Sequence, residues 1–580
     1  MCYSDGTVSD RLRIVGWGIV FLALAAAAWG MVELLRIVPW ILRGSMDPDI
    51  PLYFVIGRGI LNGFTPYVDL FEWKPPGMFL LTALSLLITG DQRFLAVLTV
   101  LALFTVALLP FFSVRRSSRG QLWNVDRLMI VGTALCCGFL LALYLERFAT
   151  GMDTETFGGL LGALYALSLL WQPRRSATGF LVRALLLLEA IGLKEYFFFI
   201  LFAVALLLTR DLRDFTKKFL LPLLLAAVAG VVLLFLFGFL HPYLTVYIPA
   251  LFQQRLAEDP LRPLPILAMD LYPLAFHMVE QFTESRVFPF LLCSLFLLLP
   301  ALRSGDSAKP SGRRMLLYVA TGITVGVFLL QLVPALMTLN SFIREGTALT
   351  FSRSFSWWLL LPLGACLLAL LFLQWRGRTL SHVLRGFLAL YLILYAIAGA
   401  GYGGNHYASA LPVYMALVLL GLSFALKEDN RLFRTAFAVV AVLALLPYRT
   451  TADHWAILAQ NAGRARQVHA EALQKLDGLL DACAINRYAL LEHPLELAFS
   501  RHSPLGPIVT FELNWYLDPY HPIMVATDRH LREDSRLLLS GQSIIAPAVD
   551  AFVRANFTET PPACAQPFLP IGNYRVWFRK

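Results

Sequence analysis

Charge is scarce in this chain. Of its 580 residues only 15% are charged, against 58% hydrophobic and 13% aromatic. Soluble proteins carry about 25% charged residues, so the composition points away from a water-soluble fold. The apolar runs also lack the alternation of lipid-facing and lumen-facing residues that barrel strands require. Several chemistries leave no trace either. There is no Walker loop, no dinucleotide fingerprint, no His-rich metal spacing and no Ser-His-Asp pattern that can be placed. No clear internal repeat is visible, which argues against the repeat-built transporters. The seven cysteines are sparse for the length, and Cys2, Cys136, Cys137, Cys293 and Cys366 fall at the start of the chain or in apolar runs, where they read as small packing residues.

What remains is a series of long apolar runs. A helix of about 20 residues crosses hydrocarbon about 30 Å thick, and a helix pairs its backbone polar groups internally. The runs predict an all-α polytopic membrane protein of about 13 transmembrane helices, at 14–38, 92–113, 128–145, 154–171, 180–193, 196–208, 219–240, 286–302, 315–339, 356–375, 386–402, 407–426 and 433–448. The basic start with Arg11 and Arg13 and the run Ala25–Ala28 has the look of a cleavable signal. The apolar character continues to Val38, so an uncleaved first span is expected.

The net charge of +10 does not mark a nucleic-acid binder, because the basic residues crowd into short loops. One alternate set holds Arg115, Arg116, Arg119 and Arg127, then Arg174 and Arg175, then Arg210, Arg213, Lys217 and Lys218. It continues through Arg303, Lys309, Arg313, Arg314, Arg376, Arg378 and Arg385 to Lys427, Arg431 and Arg434. The positive-inside bias puts this set and the N-terminus in the cytoplasm. The loops at 36–91 and 241–285, the turn at 402–406 and everything after Tyr448 then face outward. The apolar stretch 77–89 is too short to span and reads as a helix along the outer membrane face. The chain divides into a membrane domain, 1–448, and a small extracytoplasmic α+β domain, 449–580. A helical pattern at 453–480 precedes β-like runs at Ile508–Phe511, Ile523–Ala526 and Tyr574–Phe578. Cys483 and Cys564 are the two tail cysteines, and an oxidising compartment lets them pair.

The candidates for chemistry begin in the 36–91 loop. Asp47 and Asp49 follow the first span. Acids there cap helices, but Pro48 and Pro51 stiffen the segment and Tyr53 follows Asp49 by one turn. Lys74 precedes Pro75-Pro76. A lysine at that depth snorkels to head groups or holds one particular lipid phosphate. Asp153 and Glu155 open the 154–171 run, where acids also suit the helix dipole. Lys194 and Glu195 sit at an outward turn, where a local ion pair is the plain reading. His406-Tyr407 opens the 407–426 span, and Arg255, Arg262, Arg344 and Arg353 are outward arginines suited to an anionic lipid. Glu33 and Glu189 lie within spans, where ionisable groups are costly; no role follows for them.

The order of these residues resembles a known family. An acid pair, a Tyr one turn on, Asn62-Gly63-Phe64-Thr65-Pro66-Tyr67 and Lys74-Pro75-Pro76 before a short apolar helix look like the first outer loop of the GT-C superfamily of polyprenyl-phosphate-sugar glycosyltransferases. Within it the chain is similar to the bacterial aminoarabinose transferases that modify lipid A, to protein O-mannosyltransferases and to the RgtA/B/C/D-like group. The resemblance spans roughly 14–425. It implies Asp49 as catalytic acid/base, with Asp47 as fallback, and Glu155 or Asp153 as the second acid. It implies Lys74 on the donor phosphate, with Lys194, His406, Tyr407 and an outward arginine such as Arg262 around the carrier, and Tyr53 and Tyr67 near the substrate. The implied partners are a polyprenyl-phosphate-linked sugar, a glycan, lipid or protein acceptor, and membrane lipid. No cofactor is required; a divalent metal is compatible, the family being mixed on the point. The implied place is a bacterial inner membrane with the site on the periplasmic face. A transporter or flippase of envelope precursors is the alternative.

Overall fold

The computed structural model describes residues 6–43, 49–72, 74–117, 124–148, 154–170, 176–209, 212–251, 287, 290–291, 408–426, 431–448, 470–486, 488–490, 500–502, 504–505, 535–540 and 547–580. The expected spans at 286–302, 315–339, 356–375 and 386–402 fall outside these, apart from positions 287, 290 and 291.

The first part of the chain is a helical bundle. Its elements are α1 (Gly6–Arg43), α2 (Asp49–Leu61), α3 (Gly77–Thr89), α4 (Arg93–Ser117), α5 (Val125–Phe148), α6 (Thr154–Leu170), α7 (Ser176–Leu193) and α8 (Phe197–Leu208). Then come α9, built from Leu212–Phe215, a π turn at Thr216–Leu220 and Leu221–Leu236, and α10, in which Leu240–Pro242 runs into a π turn at Tyr243–Tyr247. Helices α11 (Leu411–Ala425) and α12 (Arg431–Leu445) follow. Among the described residues five helices are long and apolar enough to cross a membrane: Ile14–Leu42, Arg93–Arg115, Val125–Leu145, Arg213–Leu236 and Ala408–Ala425. Thr154–Leu170, Phe197–Leu208 and Phe433–Leu445 are apolar but shorter.

In hydrocarbon, helices gain nothing from burying apolar faces against each other, so close backbone approach through small residues holds them together. The bundle uses this at several crossings. A Cβ on Gly138 of α5 would lie 1.8 Å from the carbonyl oxygen of Ala107 in α4, and one on Gly30 of α1 would lie 2.7 Å from Cβ of Phe139. The Cys136 thiol donates to the Ala23 carbonyl at 3.0 Å. Both α5 cysteines are free and fully buried.

Two sets of contacts fix the ends of the bundle. At one end Arg434 of α12 pairs with Asp126 of α5 at 3.1 Å and donates to the Ala425 carbonyl at 2.9 Å. Gly16 of α1 lies against Val125, and the Tyr165 hydroxyl reaches the Lys218 carbonyl at 3.1 Å. The described basic residues Arg434 and Lys218 lie at this end. At the other end the Tyr448 hydroxyl donates to the Leu143 carbonyl at 2.6 Å, and the Trp29 indole donates to the Tyr448 carbonyl at 3.1 Å.

The tail folds round its own core. A helix at 470–482 (α13) and α14 (Pro547–Asn556) flank five short strands: β1 (Tyr488–Leu490), β2 (Pro504–Leu505), β3 (Leu537–Ser540), β4 (Phe557–Thr558) and β5 (Arg575–Arg579). The sheet order is β2-β1-β3-β5-β4, with β1 parallel to β2 and β3 and with β5 antiparallel to β3 and β4. Successive strand residues face opposite sides. Leu537 and Leu539 accordingly pack with Leu476 and Leu480 of α13, while Leu538 packs with Val553 of α14 and with Trp577. Cys483 and Cys564 are joined by a disulfide, with Cα atoms 5.4 Å apart. The β-like runs at 508–511 and 523–526 lie outside the described residues.

Candidate active site

Four segments distant in sequence meet at the end of the bundle opposite the basic connections. The first is the loop between α2 and α3. These two helices pack because Gly57 offers no side chain to Thr82, whose hydroxyl donates to the Tyr53 carbonyl at 2.8 Å. The loop turns at Gly63, φ +84°, and again at Tyr67, φ +67°. Positive φ is free for glycine and strained for tyrosine. Tyr67 is held in it by its surroundings. Its N–H donates to the Leu70 carbonyl at 2.6 Å, and its ring is buried between Phe71, Phe79 and Tyr247. Its hydroxyl donates to the Lys74 carbonyl at 2.7 Å, so the strained residue acts as a strut that fixes the backbone carrying Lys74.

The second segment is the turn between α7 and α8. It is brought to the loop by a glycine contact, since a Cβ on Gly77 would lie 2.4 Å from the Gly192 carbonyl oxygen. The turn presents Lys194, Glu195 and Tyr196. The third segment is the first turn of α6. There Glu155 receives hydrogen bonds from Lys194, from the Tyr196 hydroxyl at 3.2 Å and from Thr154 at 2.5 Å. The ammonium of Lys194 also lies 4.9 Å from the Tyr196 ring centre, within cation–π range. The fourth segment is the π turn of α10. An i→i+5 turn is rare and frequently found at functional sites. Here it stacks Tyr243 on Tyr247 at 5.0 Å, and the Tyr247 hydroxyl donates a short hydrogen bond to Glu195.

The reading of Lys194 and Glu195 as a local ion pair is corrected by this geometry. Residues i and i+1 do not face each other at a helix end. Lys194 turns to α6 and Glu195 to α10. Burial pushes the Glu195 carboxyl above the usual carboxylate range, against the opposing pull of Tyr247, Lys194 and Lys74. Burial also raises the Tyr67 phenol, which stays neutral.

Lys74 completes the cluster. Its Nζ is 3.7 Å from Glu72 and 6.0 Å from the Tyr53 ring centre, and both its side chain and that of Glu72 are largely shielded, at 16% and 6% exposure. Asp49 is the first residue of α2, one turn before Tyr53. Its side chain lies outside the described residues, as do all of Asp47, Asp153, Arg262, His406 and Tyr407. The described site therefore unites Lys74, Lys194, Glu155, Tyr53 and Tyr67. Tyr53 and Tyr67 are 1% and 3% exposed, and both lie against Lys74. Cys483 and Cys564 belong to the tail core.

Four residues of the site were given no role by sequence. Glu72 stands inside the Phe71-Glu72-Trp73-Lys74 motif. Tyr196 follows the Lys194 turn. Tyr243 and Tyr247 carry a weak signal, two tyrosines four apart after His241-Pro242. Among the described residues no group of three His, Cys, Asp or Glu side chains is placed to hold a metal.

Two largely shielded cations beside three carboxylates, walled by tyrosines, can hold and orient an anion whose charge changes during a reaction. No family model and no curated protein matches the chain. Among solved structures it is similar to one described as the crystal structure of ArnT from Cupriavidus metallidurans bound to undecaprenyl phosphate, at 13% identity and a TM-score of 0.35, over 99% of this chain and 98% of that one. A likeness this loose settles neither fold nor activity.

Proposed function

We propose that this chain is an integral membrane glycosyltransferase that moves a sugar from a polyprenyl-phosphate donor to an acceptor on the outer, periplasmic face of a bacterial inner membrane. The observation that supports this most is that Lys74 and Lys194, from separate segments, both act on the one carboxyl of Glu195, with Lys74 6.0 Å from the ring of Tyr53 in α2. A greasy carrier reaches such a place through the bilayer, and its phosphate meets two shielded cations where water is excluded.

In this reading Asp49 takes the proton of the acceptor hydroxyl as the sugar carbon becomes oxocarbenium-like, in a single displacement with inversion. The phosphate leaves from the opposite side. Lys74 and Lys194 stabilise the charge that grows on it, which lowers the barrier because those charges are fixed before the reaction begins. Glu155 does no proton transfer; it holds Lys194 in place with Tyr196 and Thr154. The donor carries its own activation, so the chemistry calls for no nucleotide. A divalent metal is compatible with this scheme and no step passes through one.

The test is sugar transfer by the purified full chain supplied with polyprenyl-linked donors and an envelope extract as acceptor. The wild-type protein is expected to transfer. Asp49→Asn is expected to fold and lose transfer by more than a hundredfold, in line with the loss of a general base. Near-normal transfer by Asp49→Asn removes the base assignment.

A further inference from the structure

Glu195 has no part in the transfer chemistry above, yet it lies among the groups assigned to the phosphate. From α10 the Tyr247 hydroxyl donates to it. From its own turn Lys194, and from the α2–α3 loop Lys74, act on its charge. Tyr243 and Tyr67 also lie within electrostatic range of it, and Glu72 acts on Tyr67. Lys74 is accompanied by Glu72, and Lys194 by Glu155. An ionised Glu195 sets a further carboxylate beside these two ammonium groups, and an arriving phosphate meets its repulsion. A neutral Glu195 removes it.

We infer that Glu195 is a positioning residue through which the pocket admits an anionic phosphate together with one proton. The proton comes from water and forms an O–H bond on the Glu195 carboxylate; no other bond changes. Tyr247 keeps its hydrogen bond to one carboxyl oxygen, and the new O–H on the other becomes a donor in a pocket that gains an acceptor. Burial already favours the neutral carboxyl, so the uptake works with the fold. This inference rests on the donor-phosphate reading and deepens it.

The experiment is calorimetric binding of undecaprenyl phosphate in detergent to the purified full-length protein, from pH 6 to pH 9, in two buffers of different ionisation enthalpy. The phosphate's own titration is common to all variants and cancels in their differences. Wild-type affinity is expected to fall more steeply with pH than that of Glu195→Gln, by up to about tenfold per pH unit, with up to about one more proton taken up. Tyr247→Phe removes a hydrogen bond that favours the ionised carboxyl, so it is expected to move the fall to higher pH. Equal slopes and equal proton uptake in wild type and Glu195→Gln overturn the inference and leave the donor reading intact. A fall that Tyr247→Phe does not move counts the same way, and stands if Glu195→Gln fails to fold. No binding by the wild type at any pH overturns the donor reading and the inference with it.

Discussion

Lys194 pairs with Glu155, and both side chains are shielded, at 11% and 6% exposure. Breaking a buried pair strands the remaining charge and costs about 3–5 kcal/mol, while replacing both partners costs far less. Lys194→Met and Glu155→Gln are each expected to lower stability by about 3 kcal/mol, and the double variant by clearly less than the sum. Unfolding of the four proteins in a double-mutant cycle checks this. Additive losses mean that the two side chains do not meet. Glu195 behaves differently. Its carboxyl is raised by burial, so its contribution is fully present below the ordinary carboxylate range and is lost as pH rises through the raised value. This residue logic was partly legible in the sequence. Lys74 and Glu155 stood out as charges in an apolar chain. The partner of Glu195 did not, because Tyr247 reaches it across 52 residues and no local pattern marks that distance.

At the scale of elements, apolar runs were legible as helices among the described residues, five of them long enough to cross a membrane. The turn at Lys194 between the expected runs 180–193 and 196–208 falls between α7 and α8. The π turns were not legible, because a single i→i+5 turn has no repeating period to detect. The α3–α7 contact was hidden for another reason, as Gly77 and Gly192 look like ordinary glycines until their helices cross. That contact holds the lysine loop beside the α7–α8 turn. Gly77→Ala puts a methyl group 2.4 Å from a carbonyl oxygen, so backbone must move. The expected result is a loss of about 1–3 kcal/mol and weaker binding of the lipid phosphate. Thermal unfolding and phosphate binding measured on the same preparation check both. A stable variant with unchanged binding contradicts the assignment of this contact to site assembly.

On the scale of the whole molecule the two ends differ. Arg434 and Asp126 pair at one end, while Lys74, Lys194 and the start of α2 share the other. From the alternation of basic loops the sequence leads to the expectation that these loops and the candidate acids face opposite sides of a membrane. The tail was legible as a change in composition, in the pairing of its two cysteines and in the run that forms β5, while β1 to β4 are too brief for a clear period. Its disulfide closes a sequence separation of 81 residues, which in the chain-entropy account contributes about 4 kcal/mol. Cys483→Ser is expected to lower the unfolding temperature of the tail and leave the helical bundle standing, as read by limited proteolysis from each end of the chain.

Release of polyprenyl phosphate from a labelled donor tests the central claim most directly. With the purified chain and an acceptor present, the sugar is expected to leave the carrier and appear on the acceptor, and Lys74→Ala is expected to raise KM for the donor by about tenfold or more while leaving KM for the acceptor near its wild-type value. An intact donor after incubation with folded wild-type protein, or a donor KM indifferent to Lys74, contradicts the account.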